Sequence, residues 1–78
     1  MNEELLAQAQ IIAEKLNDIN GLRFHKWAVW KLGFDTCYQL CSLTLDKFRR
    51  GEINISPGAY YNGCITREIR ERGERNAA

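Results

Sequence analysis

The stretch LRFHKWAVWKLGFDTCYQLCSLTLDKFRRG, residues 22 to 51, decides the fold. In its first part Phe24, Ala28 and Leu32 recur four residues apart, the spacing of one face of an α-helix, and Gly33 stands where a left-handed residue would stop that helix. In its second part Cys37, Leu40, Cys41, Thr44 and Phe48 keep the helical period, after a turn GFD in which Asp35 or Thr36 can cap. Gly51 then follows KFRR, a cationic run suited to the negative end of a helix dipole. These apolar stripes follow a helical period, so consecutive helices are predicted rather than strands.

The same reading extends in both directions. Upstream, Leu5, Ala9, Ile12, Leu16 and Ile19 alternate steps of four and three, with Asn2 as a possible N-cap and NDING at 17 to 21 as the stop. That stripe is also a short heptad seam, so a dimer through the N-terminal helix stands as an alternative to ordinary core packing. Downstream, EINI at 52 to 55 has nothing obvious to pair with and reads as a loop. Ser56 followed by Pro57 is a helix start, because serine accepts from an orphan amide and proline loses nothing at the first helical position. Tyr61, Ile65 and Ile69 line one face of this last helix with Cys64 beside them, one of the two tyrosines packing inward while its neighbour lies nearer solvent, and Gly73 is the expected end. Gly63, inside it, costs about 1 kcal/mol relative to alanine, so either another helix approaches closely there or the cost is tolerated. The expected architecture is an all-α, non-parallel bundle of about four helices, one domain over 1–73, with a frayed tail at 74–78.

A chain of 78 residues buries only about 60% of the surface its unfolded form exposes, which makes self-association a reasonable source of extra burial. The near-neutral total, +1, hides an uneven distribution. Residues 1 to 22 carry −3, residues 23 to 50 carry +4, and the last 28 cancel. A histone-like, charge-dominated binder is thereby excluded, while a local anionic partner is not. No apolar run approaches the roughly 20 residues of a membrane span, and the acidic start MNEELL has no basic region for secretion, so the expected location is cytoplasmic. Three cysteines without a secretion signal read as reduced thiols.

The segment RFHKWAVWK, residues 23 to 31, mixes rings and cations as sequence-tolerant single-strand binders do, aromatic faces stacking on bases while Lys and Arg hold phosphates. Lys26, Trp27, Trp30 and Lys31 are its candidate contacts, and one of the two tryptophans is expected to be partly exposed. Lys47, Arg49 and Arg50 form a second basic cluster. Arg67, Arg70, Arg72 and Arg75 interleave with Glu68, Glu71 and Glu74 and are expected in helix-surface pairs. Cys37, Cys41, Cys64 and His25 formally supply a zinc donor set, but the knuckle turn of zinc sites is missing, and neither a metal nor another cofactor is expected. No serine, histidine and acid pattern and no phosphate loop is present, so no enzymatic role is expected. A helix-turn-helix reading of the 22–51 stretch lacks the break between Cys37 and Leu45 that a repressor-like fold needs.

Over residues 24 to 72 the chain resembles the DnaD-like domain and the C-terminal regions of bacterial, phage and plasmid replication proteins. The shared features are Tyr61, Ile65 and Ile69 at the spacing of a Tyr-x3-Ile-x3-Trp helix, with Ile69 in place of the Trp, and SPGAYY, similar to NPGAYF in such proteins. The resemblance implies a replication-associated role and a nucleic-acid contact at Tyr61. The expected function is a small non-catalytic module binding nucleic acid or a replication or mobile-element protein; the alternative is a protein-interaction module, an adaptor or inhibitor, dimerising through its N-terminal helix.

Overall fold

The computed structural model describes residues 3–77, with side chains through Glu74. The elements are α1 (Glu3–Lys15), a 3-10 turn (Ile19–Gly21), α2 (Leu22–Leu32), α3 (Phe34–Arg49) and α4 (Pro57–Ala77), with no strand among the described residues. The protein is an all-α bundle, as its apolar periods predict. The expected cap at Asn2 lies outside the described residues.

Three local devices set the helix ends. After α1, Asn17 takes the left-handed conformation (φ 52°), the Asp18 N–H donates to the Ala13 carbonyl at 2.8 Å, and the Asn17 N–H donates to Glu14 at 3.1 Å. This is a Schellman stop, and Gly51 (φ 74°) repeats it after α3, with Glu52 N–H donating to Lys47 and Gly51 N–H to Phe48. Between α2 and α3 the chain turns on Gly33 alone, at φ 88° and ψ 153°, a region open essentially to glycine. The expected GFD turn is therefore shorter than predicted: α3 starts at Phe34, neither Asp35 nor Thr36 caps it, and the Thr36 hydroxyl accepts from Arg72 Nη2 at 3.1 Å instead. At α4 the Ser56 hydroxyl accepts from the Ala59 N–H at 3.3 Å, with Pro57 at the first helical position. Gly73 does not end α4, which continues to Ala77, because no left-handed residue interrupts it there.

α1 packs chiefly on α2 and α4 chiefly on α3, with α2 touching both α3 and α4. The core joins Ile12 and Leu16 of α1, Ala28, Val29 and Leu32 of α2, Cys37 and Cys41 of α3, and Tyr61 and Ile65 of α4. The middle of the α1 stripe, Ala9, Ile12 and Leu16, is buried within the protein's own fold. Two expected core residues are displaced: Ile19 falls in the 3-10 turn and Phe48 on the last turn of α3, and both are exposed. The bundle measures 36 × 32 × 18 Å, so its short dimension is less than two helix diameters of about 10–12 Å each. Every helix keeps a face on solvent, and the accessible surface of 5290 Å² exceeds the roughly 4,900 Å² usual for this mass.

Candidate nucleic-acid interface

α2 has two unlike faces. Inward, His25, Ala28, Val29 and Leu32 are buried. His25 was not foreseen in the core; it is fully buried, and its Nε2–H donates to the Asp18 carboxylate at 3.0 Å. Its Nδ1 is buried without a partner, and its ring lies 5.5 Å from that of Tyr61. Asp18 is wedged between two glycines. A Cβ at Gly21 would collide with its carboxylate, and one at Gly58 would stand 3.2 Å from its Cγ. The turn after α1 is thereby tied to α2 through His25 and to the first turn of α4 through Gly58, and the glycine of SPGAYY has a physical cause.

Outward, α2 presents Arg23, Lys26, Trp27, Trp30 and Lys31. Arg23, Lys26, Trp27 and Trp30 line one groove of ≈ 490 Å³ together with Leu5 of α1, and no carboxylate lines it. Trp27 is 43% exposed and Trp30 67% exposed, so both tryptophans face solvent where only one was expected to. Trp27 is propped by Phe24, ring centroids 5.7 Å apart, whereas Trp30 meets the Lys31 ammonium at 5.7 Å from its ring centre. Among the described residues, Arg23, Lys26 and Lys31 form no ion pair. Arg23, inside the quoted aromatic-basic segment but not among its candidate contacts, joins them because it lies one turn before Lys26 and Trp27.

The second basic cluster does not line this groove. Lys47 and Arg49 sit on the last turn of α3 without ion pairs among the described residues, whereas the exposed Arg50 guanidinium shares its charge with Asp46 at 3.0 Å and Glu52 at 3.0 Å. On α4 Arg72 follows the expected helix-surface pairing, to Glu68 at 2.9 Å, while Arg67 and Arg70 line a separate groove of ≈ 350 Å³ with Tyr60 and Gly63. The side chain of Arg75 lies outside the described residues. Tyr61 is corrected as a nucleic-acid contact: it is fully buried in the core and cannot stack on a base. The neighbouring Tyr60, a helical step of about 100° away, is the tyrosine that reaches a surface groove.

The buried thiols read as packing groups. Burial pushes Cys37 above its ordinary value, against a lowering by the Tyr61 hydroxyl and Arg72; burial also raises Cys41, against Lys15. Burial first, and Cys37 next, hold the Tyr61 hydroxyl far above the ordinary phenol range, and that hydroxyl meets no nitrogen or oxygen partner. A thiol kept protonated is a poor nucleophile and a poor metal ligand. Among the described residues no three His, Cys, Asp or Glu side chains converge as a metal donor set, and His25 spends its Nε2 on Asp18. No described helix is long and apolar enough to cross a membrane. Comparison of the chain with protein-family models, with curated proteins and with solved structures finds no match.

Proposed function

We propose that the protein is a small, non-catalytic helical module that binds nucleic acid through the outward face of α2, in the setting of replication or of a mobile element. The observation that carries this reading is one groove in which Arg23, Lys26, Trp27 and Trp30 stand together with no carboxylate among its lining residues. Cations without partners supply a local positive field to a chain whose total charge is only +1. The rings beside them offer stacking surface that a core has no use for. The replication setting rests on the resemblance of residues 24 to 72 to DnaD-like domains, with Tyr61 and Ile65 in the helix interior rather than on the contact face.

Titrating the protein into a labelled strand at low salt, and repeating it as salt rises, tests the reading. Binding that weakens steadily with salt supports it, since neutralised phosphates release counterions. Absence of binding at low salt overturns it.

A protein-interaction module is the second reading, favoured by the 67% exposure of Trp30, a residue type enriched at protein interfaces. In that case a dimer through α1 would use its outer face, where Ile11 is exposed, because the inner stripe is already packed. A partner held mainly by apolar contact would bind with little dependence on salt.

A further inference from the structure

In the α2 groove Arg23 and Lys26 can reach base edges or phosphates alike, so the cations do not separate a duplex from a single strand; the exposed ring of Trp30 does. Stacked bases inside a duplex hide their faces from a tryptophan. An unpaired base does not.

We infer that the groove takes an unpaired nucleobase of a single strand, with Trp30 as the stacking face and Arg23, Lys26 and Lys31 on the flanking phosphates; this rests on the nucleic-acid reading above. Trp27 is the fixed wall of the groove, since Phe24 braces it, and Leu5 closes the far side. Trp30 is the free ring, 67% exposed; the Lys31 ammonium lies over it at 5.7 Å from the ring centre and swings from that face to a flanking phosphate when a base stacks there. No side chain in the groove accepts a hydrogen bond, so a ribose 2′-hydroxyl can be met there only as an acceptor, by the same cations that hold the phosphates, and stacking rather than the sugar is the main discriminant. Three phosphates neutralised on a single strand give a dependence of log affinity on log salt with a slope of about −2.

The test compares four labelled ligands by fluorescence anisotropy: an oligothymidylate, an abasic strand of the same length, a hairpin duplex of the same length and an oligouridylate. The oligothymidylate and oligouridylate are expected to bind alike, and the abasic strand and the duplex more weakly, by roughly 5- to 150-fold for one lost stack. Trp30→Ala should bring oligothymidylate down to the abasic level, and Trp30→Phe, which keeps a ring, should restore most of the difference; circular dichroism of both variants confirms that they are folded. Equal binding of the abasic strand and oligothymidylate would overturn the stacking inference while leaving phosphate binding intact. Tighter binding of the duplex would overturn the single-strand inference in the same way. Failure of all four ligands to bind would overturn the nucleic-acid reading beneath it.

Discussion

The carboxylate of Asp18 sits 3.0 Å from Nε2 of His25 and fills the space above Gly21 and Gly58. One side chain in a turn thus fixes three segments: it accepts a hydrogen bond from a fully buried imidazole on α2 and packs over the first turn of α4. The face of α2 opposite His25 carries the groove. The Asp18 and His25 contact, with the buried Ala28, Val29 and Leu32 beside it, holds that inner face of α2 inward and leaves Trp27 and Trp30 to solvent.

Replacing Asp18 by Ala leaves a buried imidazole N–H without its acceptor, a change expected to lower unfolding stability by about 1–3 kcal/mol. Urea unfolding followed by circular dichroism measures it. A change within about 0.5 kcal/mol, the range of ordinary surface substitutions, would mean that the contact does not hold the turn.

Gly58 and Gly63, two of the three glycines of α4, should respond in opposite directions to alanine. At Gly63 nothing lies within 4 Å of the added Cβ, so Gly63→Ala should raise stability by up to about 1 kcal/mol through helix propensity. At Gly58 the Cβ would press on the Asp18 carboxylate, which His25 keeps from moving, and Gly58→Ala should destabilise the protein. In an Asp18→Ala background that penalty should disappear, a coupling that a double-mutant cycle reads directly.

Alkali should unfold the protein earlier than its composition alone implies. Cys37, Cys41 and Tyr61 are all held above their ordinary values of 9.0, 9.0 and 10.0. Below those values both folded and unfolded chains keep these protons, and the full stability is present. As pH rises through them the unfolded chain loses protons that the folded one retains, so stability falls, by up to about 1.4 kcal/mol per pH unit for each group. Urea midpoints should decline above about pH 9. Ionisation of Tyr61, seen by ultraviolet absorbance, should coincide with unfolding; titration of all the tyrosines in the intact fold would contradict this.

Exposure separates the two tryptophans from the core aromatics. Trp30→Ala should change stability by no more than about 0.5 kcal/mol, as an exposed substitution does, whereas Tyr61→Ala should cost about 3–5 kcal/mol as a large-to-small change in the core. Thermal unfolding of the two variants checks the contrast.

Much of this was legible because the signals are local. Apolar residues at helical spacing, Ser56 before Pro57, and glycines at 33 and 51 each act within a turn or two of chain, and each appears where the spacing predicts. The misses are positions where a distant segment decides. Gly73 looks like a stop but keeps helical dihedrals, and Ile19 and Phe48 continue stripes beyond the edge of a bundle 18 Å thick. His25 enters the sequence reading only as a formal zinc donor, and its place in the core depends on Asp18, seven residues away across a turn. The groove was half legible: the mixture of rings and cations in 23 to 31 is visible in the residues, but Leu5 enters from another helix. Tyr61 was misplaced because two adjacent tyrosines face different ways, and only packing against His25 and Cys37 decides which goes inside.

The most direct test of the central claim is to remove charge from one helix at a time and measure strand binding against salt. Arg23→Gln, Lys26→Gln and Lys31→Gln together should abolish most binding at low salt and flatten the salt dependence, with thermal stability nearly unchanged. Lys47→Gln with Arg49→Gln, on α3, should leave most of the affinity and most of the slope. Loss of binding from the α3 pair with the α2 triple variant unaffected would contradict the assignment of the interface to α2.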